Sequence, residues 1–461
     1  MPDNGSHPHG DRLYVLMVSL VAATGGFLFG YDLAVVSGAI IFLQKQFALS
    51  PVQVGFAIGS AQIGCIFAPF LAGPLSDRWG RKQALFLAAL LFAIAAVGTA
   101  LPRTIIEFNA FRIMAGVAIG LASVVSPMYI AEISPAAIRG RLVSMNQFAI
   151  VIGAMSSYGV SYFLSFRGNW RLMFACAAIP TLAFMLGLIF IPQSPRWLAQ
   201  KGRFDEAVRI MSRIEGPAIA EKEIAAIRDT LAEETGTLRE LLLPGIRMAL
   251  IVGTILCLLQ GWTGGTAVNF YAPLIFQKAG SLGASGAIGE TFLLNISSLV
   301  FTIVALFLVD VVGRRPLLLV GTAGMAITQV YLGLCLSWGL PGRYTVGTVF
   351  VFNMFYQTSM APLAWLILSE IFPTRLRAKG QSVGTLAVWV STYLSNQFLG
   401  PLMSYCEKSF GSAGPAFWIF AAMCVVAFIF GWVMIPETKQ RTLEEIAAWW
   451  LHRGTAKSPA A

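Results

Sequence analysis

The feature that most constrains this chain is its punctuation. Twelve apolar runs, each about 20 residues or a little longer, are separated by polar loops. They lie near 13–38, 52–73, 83–101, 105–129, 142–165 and 171–191, then 247–278, 288–309, 316–338, 344–369, 380–403 and 415–435. A helix of about 20 apolar residues crosses about 30 Å of hydrocarbon. Within a bilayer every backbone N–H and C=O must be satisfied inside the segment, which makes the helix the natural reading. The composition agrees, with 57% hydrophobic and 12% charged residues against about 45–50% and 25% in a soluble domain. The first run is full length with no small-residue cleavage region after it, so it is expected to stay as a span.

The net charge of +10 could mean a nucleic-acid partner or an acidic membrane surface. Its placement decides against nucleic acid. With twelve spans, 24 of the 32 Lys and Arg fall on one side, seven on the other, and Arg112 within the membrane. That asymmetry is the positive-inside bias. The expectation is a multi-pass protein of the cell's inner (plasma) membrane with both termini in the cytoplasm. The six cysteines are scattered without a CxxC pair, and the three histidines lie near the termini. No metal site is expected, and any proton carrier within the spans must be a carboxylate.

One carboxylate stands out. Asp32 lies well inside the first run, in Phe29-Gly30-Tyr31-Asp32. An acid near the centre of a spanning helix costs about 2.5–3.5 kcal/mol on insertion scales, so it is rare, usually functional, and needs a partner. Arg112, a little inside the fourth run, offers one. The pair is a candidate proton-coupling centre; the alternative is a structural pair with no part in ion movement.

The halves repeat. Asp77-Arg78-Trp79-Gly80-Arg81-Lys82 follows the second run and Asp310-Val311-Val312-Gly313-Arg314-Arg315 the eighth, 233 residues later. Glu132…Arg139 follows the fourth run and Glu370…Arg377 the tenth, 238 residues later. Two similar offsets indicate a duplicated six-helix unit, a pattern of transporters whose substrate site lies near the bilayer midplane. The acid–arginine clusters Asp77, Arg81, Glu132, Arg139, Asp310, Arg314, Glu370 and Arg377 are a candidate cytoplasmic gate network; topology signalling with ordinary helix capping is the plainer reading. Between the halves, 194–244 is charged but carries two apolar stripes, one from Phe204 to Ile214 and one from Ile219 to Leu231. They predict short amphipathic helices split at Gly216-Pro217.

These motifs in this order resemble the sugar porter family of the major facilitator superfamily over nearly the whole chain. Gly30-Tyr31-Asp32, Arg112, Pro192-Gln193-Ser194-Pro195-Arg196-Trp197-Leu198, Tyr271-Ala272-Pro273 and Pro436-Glu437-Thr438-Lys439 carry the resemblance with the loop clusters. It implies an all-α membrane protein of the major facilitator fold with twelve transmembrane helices in two six-helix halves. The expected parts are 12–192, a small cytoplasmic helical domain at 193–245, 246–436, and a tail at 437–461. It also implies alternating access and hexose, pentose or polyol substrates.

Candidate substrate contacts are the polar and aromatic residues inside spans. Gln260 and Tyr271 share one helix face with Gly264 and Ala267. Trp365 follows Pro362. Trp389 and Asn396 share a face with Thr385 and Thr392. Indole suits the apolar CH face of a sugar, and a bare amide in hydrocarbon is costly. Phe29, beside Asp32, is an aromatic candidate. The family pattern is thinned here. A usual Gln-Gln is Gln260-Gly261, a usual Asn is Thr266, a usual Tyr-Tyr is Phe270-Tyr271, and amide positions of other members are Ala154 and Val388. Each change removes a hydrogen-bonding group, so the site is expected to be less polar than that of a glucose or xylose carrier.

No GxxxxGK[ST] loop occurs, which leaves an ATP-driven pump unsupported. No cofactor and no enzymatic activity are expected. The expected partners are the solute, protons and the lipid bilayer, with the chain acting as a monomer. Within the family an acid at the Asp32 position goes with proton symport and an amide with facilitation. The expectation is therefore proton-coupled import of a small polyhydroxy solute, a monosaccharide or polyol. The alternatives are a uniporter and a non-transporting sensor, the latter disfavoured by a short tail.

Overall fold

The computed structural model describes residues 11–135, 137–231, 238–243, 246–279, 283–372, 376–437 and 439. The polar N-terminal residues 1–10, the Pro373 end of one loop cluster, Thr438 and the tail from 440 lie outside the described residues.

Among the described residues every regular element is helical. The first five runs are single helices: α1 (Arg12–Phe47), α2 (Pro51–Trp79), α3 (Arg81–Ala100), α4 (Ile105–Ile133) and α5 (Arg139–Ser165). The sixth is broken into α6 (Trp170–Ala175) and α7 (Ala178–Phe190). Then come α8 (Pro195–Gln200), α9 (Phe204–Glu215), α10 (Pro217–Leu231) and a 3₁₀ turn at Leu238–Leu242. The seventh run is also two helices, α11 (Ile246–Trp262) and α12 (Gly265–Lys278). After α13 (Ala284–Val312) and α14 (Arg314–Ser337), the tenth run splits into α15 (Gly342–Thr358) and α16 (Met360–Glu370), and α17 (Arg377–Phe410) and α18 (Pro415–Met434) follow.

Ten of these spans are long and apolar enough by themselves to cross a membrane, with α6–α7 and α11–α12 each counted as one. The α15–α16 pair and α17 complete the twelve expected spans. α17 is less apolar because Thr385, Ser391, Thr392, Ser395 and Asn396 lie along it.

The breaks were not expected from hydropathy, and each has a local cause. Pro180 and Pro362 lack the N–H that would bond back to Cys176 and Thr358, so each sits in the first turn of a new helix. At Gly264 the backbone turns into the left-handed region, φ +82°, which a glycine adopts without a steric penalty. Gly80 and Gly313 sit at matching tight turns in the two repeated clusters, at φ +96° and +101°. They separate α2 from α3 and α13 from α14.

The chain divides into two compact units. One is drawn from Met1–Val35, Gly64–Val160 and Asn169–Glu234; the other from Val36–Ile63, Ser161–Gly168 and Thr235–Ala461. In the first, helices meet backbone to backbone. A Cβ on Gly30 of α1 would lie 1.8 Å from the Ile150 carbonyl oxygen, and one on Gly153 of α5 would lie 2.0 Å from that of Phe27. Gly64 of α2 is as close to α4, 2.1 Å from the Ile113 oxygen by the same measure. Small residues that let helices touch are the usual packing device inside a bilayer. Here they seat α1, which carries Asp32, against α5, and α4, which carries Arg112, against α2.

The amphipathic stripes between the halves form helices. α9 buries Ala207, Met211 and Ile214. Gly216, at φ +92°, separates it from α10.

Candidate coupling and substrate sites

Asp32 and Arg112 meet. Arg112 is wholly buried and Asp32 is 7% exposed. Arg112 Nη1 donates to Asp32 Oδ1 at 3.1 Å and to the Asp32 main-chain oxygen at 2.7 Å. The guanidinium lies against the Phe174 ring, 5.8 Å from its centroid. Nε and Nη2 of Arg112 are buried and have no hydrogen-bond partner in the protein. Buried donors of a charged group are costly to leave unmet, so the pair is under-coordinated. The neighbouring Cys65 thiol spends its proton on the Gly116 carbonyl at 3.4 Å. Phe29, one turn from Asp32, is half-buried.

The loop clusters also assemble, each within its own half. Arg81 is 4% exposed and forms ion pairs with Asp77 at 3.1 Å and Glu132 at 3.0 Å. Its Nε and Nη2 both bond Glu132, and Nη1 reaches the Ser76 carbonyl. In the other half Arg314 pairs with Asp310 at 3.4 Å and Glu370 at 3.1 Å. The arginine after the tight turn thus bridges both acids of its half, twice. Arg139 bonds the Ser134 carbonyl at 3.3 Å; with Glu132, Arg196 and Glu223 it lines a cavity of about 300 Å³. Arg377 is half-buried at the start of α17.

A third repeated element belongs to these clusters and was readable in the sequence. Gln193 Oε1 accepts from the backbone N–H of Lys82 at 3.1 Å. Glu437 accepts from those of Arg314 and Arg315, both at 3.1 Å. Pro192-Gln193-Ser194 and Pro436-Glu437-Thr438 are the same motif in the two halves. Each caps the helix after the tight turn, where Gly80 or Gly313 offers no side chain of its own. Ser194 also donates to Glu132, joining this element to the Arg81 cluster.

The candidate substrate residues separate into two groups. Gln260 is 5% exposed; its Nε2 donates to the Ala361 carbonyl at 3.2 Å and its Oε1 has no partner. Asn396 is wholly buried, and neither atom of its amide has a partner. Thr266 Oγ1 is likewise buried without one. Trp389 is 8% exposed and Trp365 is 40% exposed. Tyr271 is of another kind: it is 1% exposed and its hydroxyl is spent on the Asn396 carbonyl at 2.9 Å. It braces α12 against α17.

Two features are now on hand: a buried acid–arginine pair in one half, and duplicated Gly–Arg turns bridging two acids in each. The sequence profile of the family described as "Sugar (and other) transporter" matches residues 18–450. This chain is a sugar porter of the major facilitator superfamily. It is 37% identical to the arabinose-proton symporter of Bacillus subtilis, over 98% of this chain and 97% of that one. It is also 37% identical to the D-xylose-proton symporter of Escherichia coli K12, over 95% and 96%. Among solved structures it resembles the inward open xylose transporter XylE of E. coli, with TM-score 0.81 and 34% identity over 95% of this chain and 100% of that one. The same symporter bound to 6-bromo-6-deoxy-D-glucose matches with TM-score 0.73 and 35% identity, over 95% and 99%. The sugar porter is thus a multi-pass membrane transporter and not an enzyme.

Proposed function

We propose that this sugar porter imports a small polyhydroxy solute, a monosaccharide or polyol, together with a proton across the inner membrane, with both termini in the cytoplasm. The observation that carries the reading is the under-coordinated pair of Asp32 and Arg112. Burial disfavours a charged carboxylate and the guanidinium favours it, and the proposed cycle works by shifting that opposition. Arg112 is tied to the Asp32 main-chain oxygen as well as to the carboxylate. Protonation of Asp32 therefore releases one bond while the arginine keeps its anchor. A neutral Asp32 lets the protein close around bound solute without burying an unpaired acid. Return of Arg112 to the carboxylate then expels the proton on the far side. Gln260, Thr266, Trp365, Trp389 and Asn396, with Phe29, supply solute contacts, and the Arg81 and Arg314 clusters hold the cytoplasmic side closed. The named relatives transport pentoses with protons, which supports this solute class.

Uptake into proteoliposomes of D-xylose, L-arabinose, D-glucose and xylitol, with and without an inward proton gradient, tests the reading. Accumulation only with the gradient supports it. Uptake that equilibrates and ignores the gradient replaces it with the uniporter, in which the Asp32–Arg112 pair is permanent.

A further inference from the structure

Asn269 and Asn353 belong to no motif, yet they order a polar chain through the second half. Asn353 of α15 is wholly buried. Its Nδ2 donates to Ser298 Oγ at 2.7 Å and to the Leu294 carbonyl at 3.4 Å. The Ser298 hydroxyl donates in turn to the Leu294 carbonyl at 3.0 Å. Asn353 Oδ1 accepts from Asn269 Nδ2 at 3.4 Å, and the same Nδ2 donates to the Gly265 carbonyl at 2.8 Å.

Main-chain carbonyls can only accept. Those of Gly265 and Leu294 therefore fix which way both amides point, an assignment that otherwise rests on choice. All donors along the chain are used. What remains is one acceptor, Asn269 Oδ1, buried with no partner. Three residues earlier on α12, and so on the same face, Thr266 Oγ1 is also buried without a partner. A helical threonine can bond the carbonyl one turn back; this one does not.

We infer that Asn269 Oδ1 and the Thr266 hydroxyl form a subsite for one hydroxyl of the transported solute, with Asn353 and Ser298 as positioning residues. A hydroxyl is the group that can donate to Asn269 and accept from Thr266 at once. A deoxy or O-methylated position cannot do both. The inference rests on the polyhydroxy-solute reading and restores part of the polarity lost at Gly261 and Val388. Neither oxygen has surface open to solvent in this structure. The Ser37 hydroxyl of α1 lies 3.5 Å from the Asn269 main-chain oxygen, so α1 touches α12 at Asn269. The solute's hydroxyl reaches the subsite when that part of α1 draws back, and is enclosed when it returns.

The test uses the full chain in proteoliposomes. D-xylose, L-arabinose, D-glucose and xylitol are the probes, each with its monodeoxy analogues as competitors of counterflow. One analogue of a bound probe is expected to bind about tenfold more weakly than its parent. Asn269→Leu should weaken the parent about tenfold and abolish discrimination against that one analogue, leaving discrimination at other positions intact. Asn353→Leu should do the same through loss of the hold on Asn269. Thr266→Val, nearly isosteric, gives the same readout should the leucine variants not insert. Discrimination that survives in these variants, or affinity that falls equally for parent and all analogues, overturns the inference alone. If wild type binds no member of the panel, the polyhydroxy reading fails and the subsite falls with it.

Discussion

Arg112 grips Asp32 twice through one nitrogen, at the carboxylate and at the main-chain oxygen, and leaves two further donors unmet. A pair built only for stability would satisfy those donors, since removing charges from water is repaid only when geometry and hydrogen bonds are complete. In the proposed cycle the main-chain bond would keep the guanidinium in place when the carboxylate is neutral. Arg112→Ala removes both grips and is expected to impair accumulation and counterflow alike, whereas Asp32→Asn should lose accumulation and keep counterflow. Parallel assays of ³H-labelled solute in the two variants check this.

The two rim arginines should differ in weight. Arg81 is more buried than Arg314, and its partner Glu132 has a side chain 9% exposed against 18% for Glu370. Breaking a buried pair by removing one member costs about 3–5 kcal/mol because it strands the other charge; partial exposure reduces this. Arg81→Ala is therefore expected to lower the melting temperature and slow turnover more than Arg314→Ala, with substrate affinity changed less than turnover in both. Melting curves and turnover of the purified variants decide it. Equal and small effects would leave the clusters as topological signals.

Gly30 lets α1, the helix of Asp32, lie backbone to backbone against α5. A methyl group there would meet the Ile150 carbonyl at 1.8 Å, while one at Gly73 would meet nothing within 4 Å. Overpacking typically costs about 1–3 kcal/mol, and a backbone obstacle cannot move aside as a side chain does. Gly30→Ala is expected to destabilise the protein by at least this order, and Gly73→Ala to be silent. Thermal melting in detergent compares them directly.

Gln260 donates to the Ala361 carbonyl and keeps a free oxygen. Loss of one hydrogen bond costs about 0.5–1.5 kcal/mol, so Gln260→Ala should raise the apparent KM roughly three- to tenfold without loss of insertion. An unchanged KM would remove Gln260 from the solute contacts.

Much of this architecture is legible in the sequence because it rests on short-range or compositional signals. Twelve apolar runs, the Gly80 and Gly313 turns, and the stripe from Phe204 to Ile214 each encode their own structure. The Asp32–Arg112 pair was legible for a different reason: a charge in hydrocarbon must find another. The helix breaks were not, because hydropathy is blind to Gly264 and to a proline in a new helix's first turn. Tyr271 showed only its helix face; that its hydroxyl is spent on Asn396 depends on how α12 meets α17. Asn269 and Asn353 carry no signal in the sequence, since the contact that joins them spans α12 and α15. The capping role shared by Gln193 and Glu437 was within reach, because Pro-Gln-Ser and Pro-Glu-Thr end matching halves.

Proton coupling through Asp32 is the claim on which the rest depends, and the pH of a weakly buffered suspension of energised cells tests it most directly. On addition of a solute that wild type demonstrably takes up, the medium should turn alkaline at once. Cells carrying Asp32→Asn should show no such change while still exchanging solute in counterflow. Solute uptake by wild type with no alkalinisation, or alkalinisation that persists in Asp32→Asn, would contradict the account.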